Sequence, residues 1–123
     1  MSKLAGASIL LLEDEYMIAL DAEQSLRDFG AARVEIASTL REAETLAAAG
    51  HFDVALLDVN INGQMSFGLA ESLRQRGVPV VFATGYELKG REALPTEVGI
   101  IISKPYTKER LRDALSSALG SAP

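Results

Sequence analysis

The sequence contains no cysteine and only one histidine among its 123 residues. Without cysteine, the chain can form neither disulfide bonds nor thiolate metal sites. Its start, MSKLAGAS, lacks the apolar core of a signal peptide, and no apolar run approaches the ~20 residues of a membrane span. The net charge of −5 argues against an autonomous nucleic-acid binder, which normally carries a basic face. We therefore expect a soluble, cytoplasmic protein that binds neither membrane nor nucleic acid directly.

The length predicts one domain covering residues 1–123, since no repeat, low-complexity tract or linker interrupts the chain. A chain of this size can bury roughly two-thirds of its unfolded surface, which is enough for a core without disulfides or metals. Residues 1–6 and 120–123 are expected to fray. We expect no effector sequence after the last predicted helix, although the chain could be a domain excised from a longer protein.

The stretch VALLDVN, residues 54–60, indicates how the chain is organised. Its first four residues are all apolar, as in a strand that is buried on both faces of a parallel sheet. The run ends on Asp58. Because burying an ionised carboxylate is costly, we expect Asp58 at the exit of the strand rather than in the core. Taken alone, it could equally be a structural residue that caps the following loop.

Four more strands are predicted at residues 8–12, 34–37, 80–83 and 100–103, with helical patterns between them. The first helix carries apolar residues at helical spacing up to Gly30, with Asp14 or Glu15 in its first turn. The sequence TLRE at residues 39–42 is a capping box that opens the second helix, and Thr107 can cap the last. Between residues 86 and 98, Gly90 and Pro95 predict a short or mobile fourth helix.

Strands that alternate with helices predict an α/β fold with a parallel sheet covered on both faces. Five such units are too few for an eight-stranded barrel. We therefore predict a doubly wound, flavodoxin-like three-layer sandwich with strand order 2-1-3-4-5. The second strand is the more polar one and suits an edge.

Polar side chains follow four of the five predicted strands. Strand 1 leads to Glu13 and Asp14, strand 3 to Asp58, strand 4 to Thr84 and strand 5 to Lys104. Ligands bind at this carboxyl edge in open α/β sheets. Three neighbouring carboxylates need a cation, and oxygen ligands without histidine or cysteine favour Mg²⁺. With an ammonium and a hydroxyl facing it, the site would accept a phosphoryl group on Asp58.

Together these residues resemble the receiver domains of two-component response regulators. Glu13-Asp14, Asp58, Thr84 and Lys104-Pro105 match the acidic pair, phosphoacceptor, switch threonine and lysine–proline pair of that family. The run PVVFATGY, residues 79–86, is similar to the alphaproteobacterial "FAT GUY" group of single-domain response regulators. The resemblance covers the chain from the first strand to the last helix.

The resemblance implies a role for each of these positions. Asp58 would accept the phosphoryl group, and Glu13, Asp14, Asp58 and the backbone carbonyl of Asn60 would hold Mg²⁺. The side chain of Asn60 would face the mouth of the site. Thr84 and Lys104 would hold phosphoryl oxygens, with Gly85 leaving access and Pro105 following a cis peptide bond.

The resemblance also implies the partners and the kind of protein. The phosphoryl donor would be a sensor histidine kinase, such as one of the His-Trp-x-Glu group, or a histidine phosphotransfer protein. The output would be a protein–protein interaction with a downstream target. In that case the chain is a phosphoprotein of a His–Asp phosphorelay and not an enzyme, beyond catalysing its own phosphorylation and dephosphorylation. The first helix is the usual contact of the donor.

Two positions depart from the usual receiver. The residue three before the lysine, commonly an aromatic that rotates on activation, is Ile101, and Tyr86 is a candidate substitute for it. Tyr86 could equally serve only to shield its loop. The loop after Asp58 has Asn62-Gly63 where a proline is usual. We hypothesise that phosphorylation orders the segment from Tyr86 to Val98 instead of flipping an aromatic on strand 5.

Several other interpretations remain open at this stage. Thr84 could be an ordinary hydroxyl at a strand end and Lys104 a solvated charge; His51 is interpreted as a surface histidine. A haloacid-dehalogenase-type phosphohydrolase also uses an aspartate nucleophile and Mg²⁺, but it needs a second aspartate where this chain has Asn60. A receiver-like docking module that works without phosphorylation is the other alternative.

Overall fold

A five-stranded parallel sheet with helices on both faces forms the frame of the molecule. The computed structural model describes residues 4–85 and 99–121. The strands are β1 (Ser8–Leu12), β2 (Arg33–Ala37), β3 (Val54–Asp58), β4 (Asn60–Ile61), β5 (Gln64–Met65), β6 (Val80–Thr84) and β7 (Ile100–Ser103). The helices are α1 (Tyr16–Asp28), α2 (Leu40–Ala49), α3 (Phe67–Gln75) and α4 (Lys108–Ser121).

The strand order of the main sheet is β2-β1-β3-β6-β7, and all its pairings are parallel. This confirms the predicted order 2-1-3-4-5, because β4 and β5 form a separate antiparallel hairpin. The more polar β2 lies at one edge, as expected. β3 is central, and all five of its residues are buried.

Successive residues of the central strands belong to two different cores. Leu10 and Leu12 of β1 pack with α2 and α3, whereas Ile9 and Leu11 pack with α1 and α4. β3 alternates in the same way, with Leu57 on the first side and Leu56 on the second. Such two-sided burial explains why these strands are continuous apolar runs instead of alternating patterns.

Hydroxyl side chains cap two of the helices, as the sequence predicts. Thr39 Oγ1 accepts a hydrogen bond from the Glu42 N–H at 3.0 Å, and Thr107 Oγ1 accepts one from the Arg110 N–H at 3.1 Å. The capping box differs in one detail. Glu42 Oε1 accepts from the N–H of Ser38 at 2.8 Å, one residue before the cap.

The ends of two helices and the start of the chain differ from expectation. α1 begins at Tyr16, so Asp14 and Glu15 precede its first turn instead of lying within it. Fraying was expected over residues 1–6, but Leu4 is fully buried in the core between the sheet and α1 and α4. α4 continues to Ser121. The expected fourth helix falls at residues 86–98, outside the described residues.

Within the described ranges, none of the helices is both long enough and apolar enough to cross a lipid bilayer.

The cap of α2 provides a test of local stability. We expect Thr39→Ala to lower the free energy of unfolding by about 1 kcal/mol, because the Glu42 N–H loses its acceptor. Chemical denaturation followed by circular dichroism measures the loss. Thr39→Ser is the matched control, since it keeps the oxygen; an equal loss in both variants would contradict the capping role.

Candidate functional site

A cleft of about 550 Å³ opens at the carboxyl edge of the sheet. Its walls come from the β1–α1 loop, the exit of β3 with the β4–β5 hairpin, the end of β6 and the β7–α4 loop. The lining residues are Asp14, Glu15, Ile18, Asp58, Asn60, Asn62, Gly63, Gly85, Lys104 and Pro105. The topology therefore brings three of the predicted strand-end residues, Asp14, Asp58 and Lys104, to one place.

Lys104 forms the centre of the site by bridging two buried carboxylates. Its Nζ donates to Asp58 Oδ2 at 2.8 Å and to Glu13 Oε1 at 3.0 Å. The side chain of Lys104 is 12% exposed, that of Asp58 5% and that of Glu13 2%. Asp58 is thus more deeply buried than the sequence suggested, and the nearby ammonium offsets part of the cost of burying its charge.

Backbone hydrogen bonds at the strand exits hold these residues in place. The Glu13 N–H donates to the Ala37 carbonyl at 2.9 Å, so the chain stays attached to β2 just after β1 ends. The Lys104 N–H donates to the Thr84 carbonyl at 2.8 Å, which extends the β6–β7 pairing by one residue. The peptide bond between Lys104 and Pro105 is cis, which agrees with the expectation.

Burial raises the pKa of both carboxyl groups in the Lys104 bridge. For Asp58 the loss of solvent outweighs the hydrogen bond and charge of Lys104, which lower the pKa. For Glu13 burial again dominates over the hydrogen bonds from the Glu15 N–H and from Lys104. Both groups therefore hold protons more tightly than free carboxylates do.

The pKa of Lys104 is raised, although its side chain is largely buried. Burial alone would lower it, but the hydrogen bonds and charges of Asp58 and Glu13 raise it, so the ammonium stays charged. Nearby, burial and the charge of Glu13 raise the pKa of Tyr106 to about 12. One ammonium thus faces two buried carboxylates, and the site carries an excess of negative charge.

The acidic residues of this cleft fit a divalent cation. One carboxylate oxygen from each of Glu13, Asp14 and Asp58 lies within 4.8 Å of the others. The donors are all oxygens, and Asp14 is partly exposed at the cleft wall. A hard cation that keeps several of its waters, such as Mg²⁺, suits an open site of this kind better than a transition metal.

The β4–β5 hairpin forms the wall beside Asp58. Asn62 and Gly63 both have positive φ, at 52° and 85°, which is the conformation of a tight two-residue hairpin turn. The Gly63 N–H donates to Asn60 Oδ1 at 2.9 Å, and the Asn60 N–H donates to Asp58 Oδ1 at 3.2 Å. The Asn60 side chain therefore lines the cleft while its oxygen is engaged within the turn.

The remaining predicted positions lie around this centre. Thr84 ends β6 next to β3, and its hydroxyl lies 3.5 Å from the Gly85 carbonyl oxygen. Ile101 is partly buried and packs against the core that contains α2 and α3. Tyr86 lies outside the described residues. His51 is a surface residue, as interpreted from the sequence, with its side chain 86% exposed.

Sequence reasoning missed two contacts that shape the site. It placed Glu13 with the metal and Lys104 with the phosphoryl group, and did not foresee that the two pair directly. It also assigned no role to Ser66, whose hydroxyl donates to the Asp58 carbonyl oxygen at 2.7 Å. A small polar residue beside the apolar face of a helix was the available signal for the second contact.

Comparison with known families agrees with this arrangement. The family model of the response regulator receiver domain matches residues 9–116. The chain belongs to the response regulator receiver domain family. The family resemblance and the fold predicted from the sequence are thereby confirmed, and as a receiver domain the chain is homologous to the response regulators of two-component systems.

Two individual relatives are similar to almost the whole of this chain. The phyllosphere-induced regulator PhyR of Methylorubrum extorquens is 30% identical over 118 residues, which cover 93% of this chain and 44% of PhyR. The solution structure of SdrG from Sphingomonas melonis Fr1 has 32% identity and a TM-score of 0.79, and covers 97% of this chain and 99% of SdrG. This chain spans less than half the length of the curated relatives it matches.

A second similar structure contains a metal ion. The receiver domain of the sensor histidine kinase PA1611 from Pseudomonas aeruginosa PAO1 has magnesium coordinated in its active-site cleft. It is 26% identical to this chain with a TM-score of 0.80, and the match covers 95% of this chain and all of that domain.

The charge excess around Lys104 leads to a test of stability. In metal-free buffer at neutral pH we expect Asp58→Asn to raise the melting temperature by a few degrees, because Lys104 then pairs with a single carboxylate, Glu13. The gain in melting temperature should shrink as the pH falls through the raised pKa of Asp58. In that range Asp58 of the parent protein becomes protonated, which removes the excess negative charge and stabilises the folded state. Thermal melts across this pH range, with a chelator present, measure both effects.

Asp28→Asn is a control of opposite sign. A hydrogen bond from Lys108 lowers the pKa of Asp28, which lies on the surface. Because the folded state favours the ionised Asp28 carboxylate, Asp28→Asn should not stabilise the protein at neutral pH. If Asp58→Asn destabilised the metal-free protein at neutral pH, the charge excess would not be the dominant effect.

Proposed function

We propose that this chain is a receiver that accepts a phosphoryl group on Asp58 from a phosphohistidine, in a Mg²⁺-dependent His–Asp phosphorelay. The observation that carries the proposal is the contact of Lys104 with Asp58 and Glu13 in an open acidic cleft. Such a group can stabilise charge that develops on a transferring phosphoryl group.

In the proposed transfer, Asp58 Oδ attacks phosphorus as the N–P bond of the phosphohistidine breaks. The new O–P bond makes an aspartyl phosphate, and the leaving imidazole takes a proton from solvent. Lys104 would move from the carboxylate to a phosphoryl oxygen, and Thr84 would donate its hydroxyl to another. Gly85, which lines the cleft, leaves room for the incoming group.

Mg²⁺ would be held by Glu13, Asp14, Asp58 and the backbone carbonyl of Asn60. When bound, the ion neutralises negative charge on the phosphoryl oxygens. The acidic cluster and the oxygen-only donors support this assignment, and the magnesium in the PA1611 receiver domain adds to it.

The proposed partners are a sensor histidine kinase, including the His-Trp-x-Glu group, or a histidine phosphotransfer protein, and a downstream protein target. Tyr16 and Met17 of α1 are 73% and 75% exposed, and in the chain they stand between Glu15 and Ile18, which line the cleft. A neighbouring pocket of about 320 Å³ is lined by Met17, Ile18, Asp21, Lys104, Pro105 and Tyr106. This apolar face supports docking of a helical donor against α1.

The proposal includes a cytoplasmic location, and the negative net charge supports a protein that does not bind nucleic acid or membrane directly. The proposal also holds that the chain is not an enzyme acting on free substrates. Asn60 takes the place where a phosphohydrolase of the haloacid dehalogenase type needs a general acid, so turnover of phosphate esters is not expected.

Phosphoryl acceptance can be tested with acetyl phosphate and Mg²⁺. We expect mass spectrometry to find one phosphoryl group per chain, labile to hydroxylamine and located on Asp58. Asp58→Asn should abolish the label, and Lys104→Met should slow its formation on the order of 10²-fold, because the developing charge loses its partner. Labelling that persists in Asp58→Asn, or multiple turnover of phosphate monoesters, would contradict the proposal.

The docking face can be tested separately with the phosphohistidine donor that phosphotransfer profiling identifies. We expect Met17→Glu to slow transfer from this donor at least about tenfold, because a charge is placed in an apolar contact. Labelling by acetyl phosphate should stay unchanged. Met65→Glu is the matched control, since Met65 is 43% exposed on the β4–β5 hairpin; equal slowing by both variants would argue against α1 as the contact.

A further inference from the structure

Ser66 is a fully buried polar residue between the β4–β5 hairpin and α3. Its hydroxyl donates to the backbone carbonyl oxygen of Asp58 at 2.7 Å, and the Val59 carbonyl oxygen lies at 3.4 Å. Its backbone N–H donates to the same Val59 oxygen at 3.0 Å. One residue thus ties the start of α3 to the exit of β3.

The Ser66 hydroxyl does not cap α3, although Ser66 stands at the start of that helix. Ser66 is the N-cap residue of α3, where serine normally accepts a hydrogen bond from the first turn of the helix. Its side chain makes no such bond, and its backbone, at φ −96° and ψ 11°, is not in the extended conformation usual for a cap. The hydroxyl is instead directed back at the residue that carries the proposed chemistry.

The contact fixes the peptide unit that joins Asp58 to Val59. Ser66 holds its carbonyl oxygen, and on the other side the Val59 N–H donates to the Ala83 carbonyl at 2.9 Å. A peptide plane anchored at both ends cannot rotate, and its orientation sets the directions of the flanking residues. These are the Asp58 carboxylate on one side and, through Val59, the backbone of Asn60 on the other.

We propose that Ser66 is a positioning residue for the metal site, which acts by holding the Asp58–Val59 peptide so that Asp58 and the Asn60 carbonyl meet the cation in the correct geometry. The inference rests on the proposed function, since it concerns the same Mg²⁺ site. Outer residues that orient ligands typically change metal affinity by about 10–100-fold when they are lost.

The test uses the full chain and MgCl₂, with affinity measured by calorimetry. We expect Ser66→Ala to raise the Mg²⁺ dissociation constant at least about tenfold, in line with the loss of other outer-shell partners. Ser66→Cys, nearly isosteric and a weaker donor, should fall between the parent and the alanine variant. Saturating Mg²⁺ should restore most of the rate of labelling by acetyl phosphate.

A readout without metal separates positioning from general loss of stability. In metal-free buffer, amide hydrogen exchange at Val59 and Asn60 should accelerate in Ser66→Ala. Val78→Ala is the control: Val78 is buried beyond the end of α3, just before β6 begins, at the amino edge of the sheet and not at the carboxyl edge where the site lies. It should lower stability without changing Mg²⁺ affinity or the exchange of these two amides.

The outcomes distinguish this inference from the proposed function. A Ser66→Ala variant with the Mg²⁺ affinity and amide exchange of the parent would overturn the inference alone. Equal weakening of Mg²⁺ binding by Val78→Ala would also overturn it, because the effect would then follow stability. A parent chain that binds no Mg²⁺ would overturn the proposed function together with this inference.

Discussion

The ammonium of Lys104 is shared between Glu13 and Asp58, two carboxylates that are almost completely buried. Buried charges of this kind are tolerated only when they are paired and hydrogen-bonded. The three residues follow or end β1, β3 and β7, so the pairing joins strands that are separate in the chain. Because one positive charge faces two negative ones, the pairing is incomplete, and the site has an intrinsic demand for a second cation. The acidic cleft beside Lys104 is where such a cation can be placed.

The order of the sheet and most of the site could be predicted from the sequence for one physical reason. Buried parallel strands are continuous apolar runs, and they bring whatever polar residue follows them to a common edge. Glu13, Asp58 and Lys104 could therefore be placed together without knowledge of any side-chain conformation. The burial of Asp58 could not, because it depends on the distance of an ammonium 46 residues away in sequence.

Local details were less predictable than the architecture. The capping box at Thr39 was foreseen, but the choice of Glu42 between two neighbouring N–H groups depends on small backbone differences. The role of Ser66 was missed because a serine before a helix predicts a cap by default, whereas the tertiary contact with Asp58 takes precedence here. Leu4 was assigned to a frayed terminus because position in the chain suggests mobility, and burial overrides it.

The two-sided burial of the sheet has a consequence for how its strands find their alignment. In a strand with one wet face, a shift by one residue exposes apolar side chains, and this penalty selects the correct register. β1 and β3 are apolar on both faces, so a shifted strand would still bury apolar groups and the penalty is weak. Polar contacts at the strand ends supply the missing discrimination: at the amino end of the sheet, Asp53 accepts a hydrogen bond from the Ser8 N–H at 2.8 Å. At the carboxyl end Lys104 joins β7 to β1 and β3. The groups proposed to perform the chemistry therefore also help to select the register of the strands.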